Sequence, residues 1–247
     1  MGLRGVISTL DFLDELGLSW AGTARTHGES QNILIKDIDG IKLAFLSYTY
    51  GTNIPMDEAS NFSVNIIQKE TMQNDIKRAR EQGADFIFVN MHWGESREHI
   101  RNAEQVELAN FLVDAGADFI IGAHPAALQQ MEVRRNSLDR NVLVAYSKGN
   151  LISGVRYDNF SNITMVLNIE ITQRAGAEEA FISRITYEPT FLLDRGTNAR
   201  ERFSILSIRQ EINRFEAGVY GRVDERTYNM LVQAIGDIQK LLERIYN

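Results

Sequence analysis

Two similar segments, GADFIFVNMHWG at residues 83–94 and GADFIIGAHP at residues 116–125, determine the architecture of this chain. Each segment starts at a glycine that ends a helical pattern, over residues 66–82 and 103–115, and continues as an unbroken apolar run. Strands that are buried on both faces have this character, and a repeated order of helix then strand is typical of a parallel sheet. The sequence therefore predicts an α/β fold.

Further strands and a first helix are predicted before and after these segments. Apolar residues at helical spacing predict a helix over residues 5–16. Two apolar, β-branched runs flank Asp39-Gly40, a dipeptide typical of tight hairpins. A second strand pair, joined by a polar loop around residues 136–140, follows the histidine-containing segments.

The C-terminal part of the chain changes from strand to helical patterns. Alternating residues predict strands near 162–172 and 180–189, and a helical pattern begins at about residue 203 and runs to 217. Asp224 is the predicted N-cap of a long final helix that continues through Leu242. We therefore expect one α/β domain over residues 1–200 and a helical extension over residues 201–247 that packs on it.

Composition excludes several classes of function. The 247 residues include 26 Lys and Arg against 33 Asp and Glu, and a formal net charge of -7 argues against a nucleic-acid partner. With no cysteine, thiolate nucleophiles, zinc-thiolate sites and disulfides are ruled out. The sequence shows no run long and apolar enough to span a bilayer and no signal-peptide pattern at its start.

The two predicted strands end at His92 and His124. In open parallel sheets ligands bind beyond the carboxyl ends of the strands, so the two imidazoles are expected at one rim. Neutral imidazole is a common ligand of divalent metals. The pattern favours a metal or phosphate site, and two buried, hydrogen-bonded structural histidines are the alternative.

Residues next to these histidines and after the following strand add carboxylate, hydroxyl, amide and glycine backbone groups. Such groups suit a pocket for an oxyanion or a phosphate, although a plain turn also explains Gly149-Asn150. The predicted site contains Trp93, Gly94, Glu95, Pro125, Tyr146, Ser147, Gly149 and Asn150.

These motifs together resemble the bacterial capsule-synthesis protein family CapA, which is linked to poly-γ-glutamate production. The resemblance covers about residues 2–195, and it is carried by His92-Trp93-Gly94, Asp114 to Asp118, Ile121 to Pro125, Tyr146 to Asn150, and the segment Leu18 to Arg25.

The resemblance implies an αββα sandwich similar to calcineurin-like metallophosphoesterases, with a divalent metal (Mn, Fe or Zn) held by His92 and His124. Glu95, Ser147 and Asn150 would orient substrate or water, and Trp93, Gly94, Pro125, Tyr146 and Gly149 would contact the substrate. The implied substrate is an anionic polymer or a phosphorylated small molecule. The implied partner is a polymer-synthase complex at the membrane, which places the protein at the cell surface.

The family pattern begins upstream of this chain, with aspartate, asparagine and histidine ligands that these 247 residues lack, and Ala126 stands where many relatives have histidine. We therefore expect a domain incomplete at its N-terminus that binds metal poorly by itself, either the C-terminal piece of a longer protein or a shortened homologue kept for binding. Unpaired sheet edges would then favour a homodimer, which a monodisperse monomer in light scattering would contradict.

Two rival functions use the same residues differently. A non-catalytic scaffold subunit would dock a polymer synthase through the sheet and the C-terminal helices. A sugar- or peptide-binding module would bind oligomers of the polymer without turning them over.

Overall fold

The computed structural model describes residues 2–137, 139–154, 161–174, 176, 179–196, 202–219 and 223–243. The chain divides into two units, each built from separate segments. The first unit contains Met1–Trp93, Ala103–Gly122 and Val133–Val144. The second unit contains Gly94–Asn102, Ala123–Glu132 and Ala145–Asn247. The predicted boundary at residue 200 falls inside the second unit.

A six-stranded sheet forms the centre of the first unit. Its strands are β1 Leu34–Ile38, β2 Ile41–Thr49, β3 Phe86–His92, β4 Phe119–Ala123, β5 Met131–Arg135 and β6 Asn141–Ala145. The strand order is β1-β2-β3-β4-β6-β5, and the sheet is mostly parallel. The predicted α/β class is confirmed.

The β1–β2 hairpin follows from its turn residues. Asp39 and Gly40 both adopt positive φ, at 53° and 87°, as a two-residue hairpin turn requires. The Gly40 amide donates a hydrogen bond to Asp37 Oδ1 at 2.9 Å. β2 then pairs in parallel with β3, from Leu43 opposite Phe86 onward. The predicted turn is confirmed.

Helices of the first unit cover α1 Gly2–Glu15, α2 His27–Ser30, α3 Lys69–Glu81 and α4 Ala103–Ala115, with a short 3-10 helix at Asn61–Ser63. α4 has the predicted bounds, and α3 begins three residues later than predicted. Both present apolar residues to the core: Met72, Ile76, Ala79, Leu108 and Leu112 are buried.

Asp118 joins three strands at the start of β4. Its amide donates to Ile87 O at 3.0 Å, and its carbonyl accepts from Leu143 N at 3.1 Å. Its carboxylate accepts from Ile87 N at 2.8 Å and pairs with Arg80 and, at 3.2 Å, with Arg140. The side chain is only 1% exposed, so its charge is held by these partners rather than by water.

A three-stranded antiparallel sheet lies in the second unit. Its strands are β7 Ile163–Gln173, β8 Ala180–Asp194 and β9 Phe203–Ser207, in that order. Two helices follow, α5 Ile208–Glu216 and α6 Glu225–Glu243. Their ends meet where Phe215 stacks on Tyr228, with ring centroids 4.4 Å apart.

The predicted helix over residues 203–217 is wrong in its first five residues, which form β9. The helix begins at Ile208 because the Ser207 side chain accepts a hydrogen bond from Gln210 N and caps it. The predicted cap at Asp224 is confirmed, since Asp224 Oδ1 accepts from Thr227 N at 2.8 Å. Among the helices of the described ranges, none combines the length and apolar character needed to cross a membrane.

Candidate functional site

His92 is the last residue of β3 and belongs to the first unit. Its imidazole is exposed and stacks on Tyr50, with centroids 5.8 Å apart and planes 13° from parallel. The His92 carbonyl accepts from Tyr50 N at 3.0 Å, which fixes the two residues side by side. The strand-end position predicted for His92 is confirmed.

His124 follows β4 in the second unit and has a strained backbone. Its φ is +97°, a value that side-chain-bearing residues rarely adopt. Ala126 and Arg97, at φ 57° and 72°, are also left-handed, and Arg97 N donates to Pro125 O at 2.7 Å. Strain of this kind costs about 1–3 kcal/mol per residue and collects at functional sites. The backbone thus supports a functional role for the turn at His124.

The segment that contains Glu95 lies against this turn. Ser96 Oγ is 3.4 Å from His124 Nε2, and both residues belong to the second unit. Glu95 itself is exposed. The structure therefore brings the predicted carboxylate-bearing loop and the predicted imidazole into the same part of the second unit.

The loop Ser147 to Asn150 is held in the same unit by backbone contacts. Gln129 N donates to Ser147 O at 3.0 Å, and Gly149 N donates to Ser147 Oγ at 3.3 Å. The Thr164 hydroxyl donates to Lys148 O. Gly149 has φ +76°, and a Cβ there would lie 2.8 Å from Ile163 O. The glycine is required because the backbone of β7 passes directly beside it.

Two buried glutamines, absent from the sequence prediction, tie these loops together. Gln129 Nε2 donates to Glu98 O at 2.9 Å and to Ile100 O at 3.3 Å. Gln130 Oε1 accepts from Arg101 N at 3.0 Å. Both side chains are largely buried, at 0% and 6% exposure, so these bonds fix the position of the loop that follows Glu95.

The partners of the buried Tyr146, a predicted site residue, form a second feature that the sequence did not predict. The Tyr146 hydroxyl donates to Glu132 Oε1 at 2.8 Å, and Arg101 lies 4.8 Å above the Tyr146 ring. Arg101 Nη2 is also 3.4 Å from Glu132 Oε2. Gln129, Gln130 and Glu132 follow one another closely before and within β5, and a run of polar residues beside a buried strand was the available signal.

The predicted site residues fall into two groups. His92 and Trp93 belong to the first unit, and Gly94, Glu95, His124, Pro125, Tyr146, Ser147, Gly149 and Asn150 belong to the second unit. The side chains of Trp93, Tyr146 and Ser147 are at most 1% exposed. Substrate contact by these three is not visible in this conformation, and the roles assigned to the whole set stay predictions.

The donor set does not complete a divalent metal site. Within the described ranges, no group of three or more histidine, aspartate or glutamate side chains is arranged to hold a metal ion. Catalytic zinc sites normally have three protein ligands. Metal binding by His92 and His124 alone therefore does not fit the residues described.

The ammonium of Lys148, next to the Gly149 turn, has a shifted pKa. Burial lowers the pKa of the Lys148 ammonium below its ordinary value of 10.5, because the charged form loses hydration. An ammonium in this position is available to an anionic group that approaches the Ser147 to Asn150 loop.

We expect the Lys148→Met protein to differ from the unsubstituted protein in its response to pH. A folded pKa below the unfolded one means that the unfolded chain holds more protons in the interval between them, so stability rises with pH there. In denaturant titrations, the free energy of unfolding of the unsubstituted protein should rise relative to that of Lys148→Met as pH increases towards 10.5. Parallel pH profiles for the two proteins would contradict the lowered pKa.

Comparison with known proteins gives a family match over the first 155 residues. A family model described as "Bacterial capsule synthesis protein PGA_cap" matches residues 1–155. The "Capsule biosynthesis protein CapA" of Bacillus anthracis is 28% identical over 158 residues, covering 61% of this chain and 36% of that protein. The "PGA biosynthesis protein CapA" of Bacillus subtilis (strain 168) is 28% identical over 153 residues, covering 61% of this chain and 39% of that protein. The chain thus spans well under half the length of both relatives.

Three of the solved structures to which this chain is similar share only a distant likeness with it. A 5'-nucleotidase precursor from Thermus thermophilus has a TM-score of 0.43 and 15% identity, covering 72% of this chain and 34% of that one. The Haemophilus influenzae NAD nucleotidase has a TM-score of 0.41 and 13% identity, covering 85% and 37%. The calcineurin-like phosphoesterase YfkN of Bacillus subtilis has a TM-score of 0.32 and 14% identity, covering 85% and 57%.

Proposed function

Because the chain belongs to the bacterial capsule synthesis protein family PGA_cap, we propose that it acts in the synthesis, export or anchoring of an anionic surface polymer, poly-γ-glutamate. The observation that carries this proposal is the match to the family model over residues 1–155. The two CapA relatives, named for capsule and PGA biosynthesis, support the same assignment.

The loops of the second unit carry side chains that can bind an anionic ligand. The His124 imidazole, the half-buried Lys148 ammonium and the Asn150 amide belong to loops that are joined by hydrogen bonds through Gln129 and Gln130. These side chains can donate to carboxylate or phosphate oxygens. We propose that this loop cluster contacts the polymer or a phosphorylated precursor and that Glu95 orients water or substrate there, while the buried Ser147 hydroxyl fixes the loop by accepting from Gly149 N.

Metal-dependent hydrolysis would need more protein ligands than the described residues supply. We further propose attachment to a polymer-synthase complex at the membrane and a location at the cell surface, together with a homodimer formed through an exposed sheet edge.

An exposed apolar group in the first unit supports a second candidate function. Phe12, Leu16 and Leu18, at the end of α1 and just after it, are each more than half exposed, at 59%, 55% and 52%. Apolar side chains clustered in this way are typical of protein contact surfaces. A scaffold subunit that docks a synthase through this end of α1 would need no turnover.

Replacing His124 with alanine is expected to lower surface polymer in the bacterium that carries the gene. The substitution removes the imidazole beside Ser96 and leaves the loop bonds of Gln129 and Gln130 intact. Capsular polymer should fall by about 10-fold to 100-fold, because a hydrogen bond to a charged ligand contributes about 1.5–3 kcal/mol. The measurement is polymer per cell, with immunoblotting to show equal protein.

His27→Ala is the matched control, since His27 is exposed on α2 and belongs to the first unit. Polymer should stay at the level of the parent strain. Metal content and phosphatase activity of the purified protein, with and without His124→Ala, separate the two candidates. If polymer survives His124→Ala but is lost in Leu16→Glu, the scaffold function stands and the enzymatic one fails.

A further inference from the structure

Most of the three-stranded sheet in the second unit is a ribbon of only two strands. β7 pairs with β8 along its whole length, but β9 pairs only with residues 190–194 of β8. Among the described residues, 165–173 and 180–189 therefore form a ribbon to which no third strand is added. A two-stranded ribbon is only marginally stable in water unless a further strand or a helix packs against it. The ribbon has two outer edges, one on β8 and one on β7.

The outer edge of β8 has features that prevent the addition of a strand. Pro189 has no amide hydrogen to donate, and a register shift leaves Ser183 as an extra residue on β8. The Tyr187 carbonyl accepts a hydrogen bond from Arg209 Nη1 of α5 at 3.3 Å. Proline, a bulge and a basic side chain are all means by which natural sheets protect an edge. Pairing of a further strand with β8 is therefore disfavoured.

The outer edge of β7 lacks this protection and directs backbone groups outward. Met165 N donates to Lys148 O at 3.3 Å, so the backbone groups of Met165 point away from β8. Alternate residues of an antiparallel strand direct their amide and carbonyl groups to the same side, so those of Leu167 and Ile169 point outward as well. β7 contains no proline, no glycine and only one charged residue, Glu170. An edge of this composition favours pairing with another strand.

We propose that β7 of a second copy of this chain pairs antiparallel with this edge, about a two-fold axis at Ile169. Leu167 of each copy then lies opposite Ile171 of the other on the half-buried face, and Asn168 lies opposite Glu170 on the exposed face. Apolar side chains meet apolar ones, an amide meets a carboxylate, and no like charges are opposed. The strand is thus complementary to itself, as a closed two-fold dimer requires. This inference rests on the homodimer of the proposed function and identifies the strand that forms it.

Sedimentation equilibrium of the whole chain and of two charge variants at one position tests this pairing. The unsubstituted chain should dimerise at micromolar concentration. Asn168→Glu opposes two pairs of carboxylates across the axis, because each new side chain faces Glu170 of the other copy, and should weaken the dimer by about tenfold. Asn168→Lys faces the same carboxylates with the opposite charge and should tighten the dimer by a similar factor. Asn168 is exposed, so both variants should fold.

A single introduced cysteine tests the position of the axis, because the chain has no cysteine of its own. Directly opposed residues of a hydrogen-bonded antiparallel pair have Cα atoms about 5.5 Å apart, a distance that a disulfide spans. Ile169→Cys should therefore form a covalent dimer on mild oxidation with diamide. Ser183→Cys is the matched control, since Ser183 is exposed on β8 of the same ribbon. It should run as a monomer on a denaturing gel after the same treatment.

Two results would overturn this inference. The first is an unsubstituted chain that stays monomeric at every concentration. The second is a dimer that has equal affinity in both Asn168 variants, or that cross-links through Ser183→Cys and not through Ile169→Cys, because the contact then lies elsewhere. If Ile169→Cys does not fold, the opposite shifts of the two Asn168 variants still decide the outcome. None of these measurements depends on polymer synthesis, so a failure here leaves the capsule function standing, and loss of that function leaves the dimer standing.

Discussion

Replacing Asp118 with alanine is expected to lower the free energy of unfolding by about 3 kcal/mol. The substitution leaves the buried Ile87 amide without its side-chain acceptor and removes the shared partner of Arg80 and Arg140. The Arg80 and Arg140 side chains are 30% and 38% exposed, so water can solvate them in part, and this keeps the loss below that of a fully buried ion pair. Urea denaturation measures the effect, and the slope of the unfolding free energy against urea concentration should stay unchanged.

Asp114→Ala is the matched control, because Asp114 is an exposed acid at the end of the preceding helix α4. Its free energy of unfolding should change by no more than about 0.5 kcal/mol. The stability loss of Asp118→Asn should lie between those of Asp114→Ala and Asp118→Ala, since the amide oxygen can still accept a hydrogen bond. Equal stability of Asp114→Ala and Asp118→Ala would show that the strand-joining role of Asp118 carries no free energy.

Gly149→Ala is the second substitution for which we expect a large loss, about 2–4 kcal/mol. Alanine at φ +76° is strained, and its methyl group would also lie 2.8 Å from Ile163 O. Relief requires the Ser147 to Asn150 loop to move away from β7. The same protein should therefore lose any ligand contact made by that loop, and thermal and urea unfolding give the stability change directly.

Gly17→Ala separates the strain of a positive φ from the steric clash with Ile163 O. Gly17 has φ +66°, and no atom lies within 4 Å of a Cβ built there. The free energy of unfolding of Gly17→Ala should fall only by the cost of the strained backbone, about 1 kcal/mol. The difference between the two variants is then the steric contribution at Gly149, and equal losses would rule out close approach of the β7 backbone as the reason for that glycine.

Local sequence signals predicted much of the fold because several elements depend on neighbours in the chain. Asp39-Gly40 fixes its hairpin turn through its own backbone angles, and α4 ends at the glycine that follows it. Local sequence predicts helix for Phe203–Ser207, because a helical pattern begins there and continues past Ile208. Its strand conformation depends on pairing with β8, a contact that local sequence does not encode.

The candidate site was predictable only in part. The strand-end positions of His92 and His124 follow from the two apolar segments. The buried bonds of Gln129 and Gln130 do not, because each partner lies about 30 residues away, at Glu98, Ile100 and Arg101. Local sequence predicts that a polar side chain is exposed unless its distant hydrogen-bond partner is known.

The left-handed backbone at His124 has an evolutionary consequence. Glycine adopts φ near +97° without a steric penalty, so His124→Gly would relax the turn while it deletes the imidazole. Selection for stability alone would thus favour glycine at this position, whereas a function of the imidazole would favour histidine. In duplicated copies released from that second pressure, glycine or asparagine should accumulate at this position faster than at His92, which ends an ordinary strand.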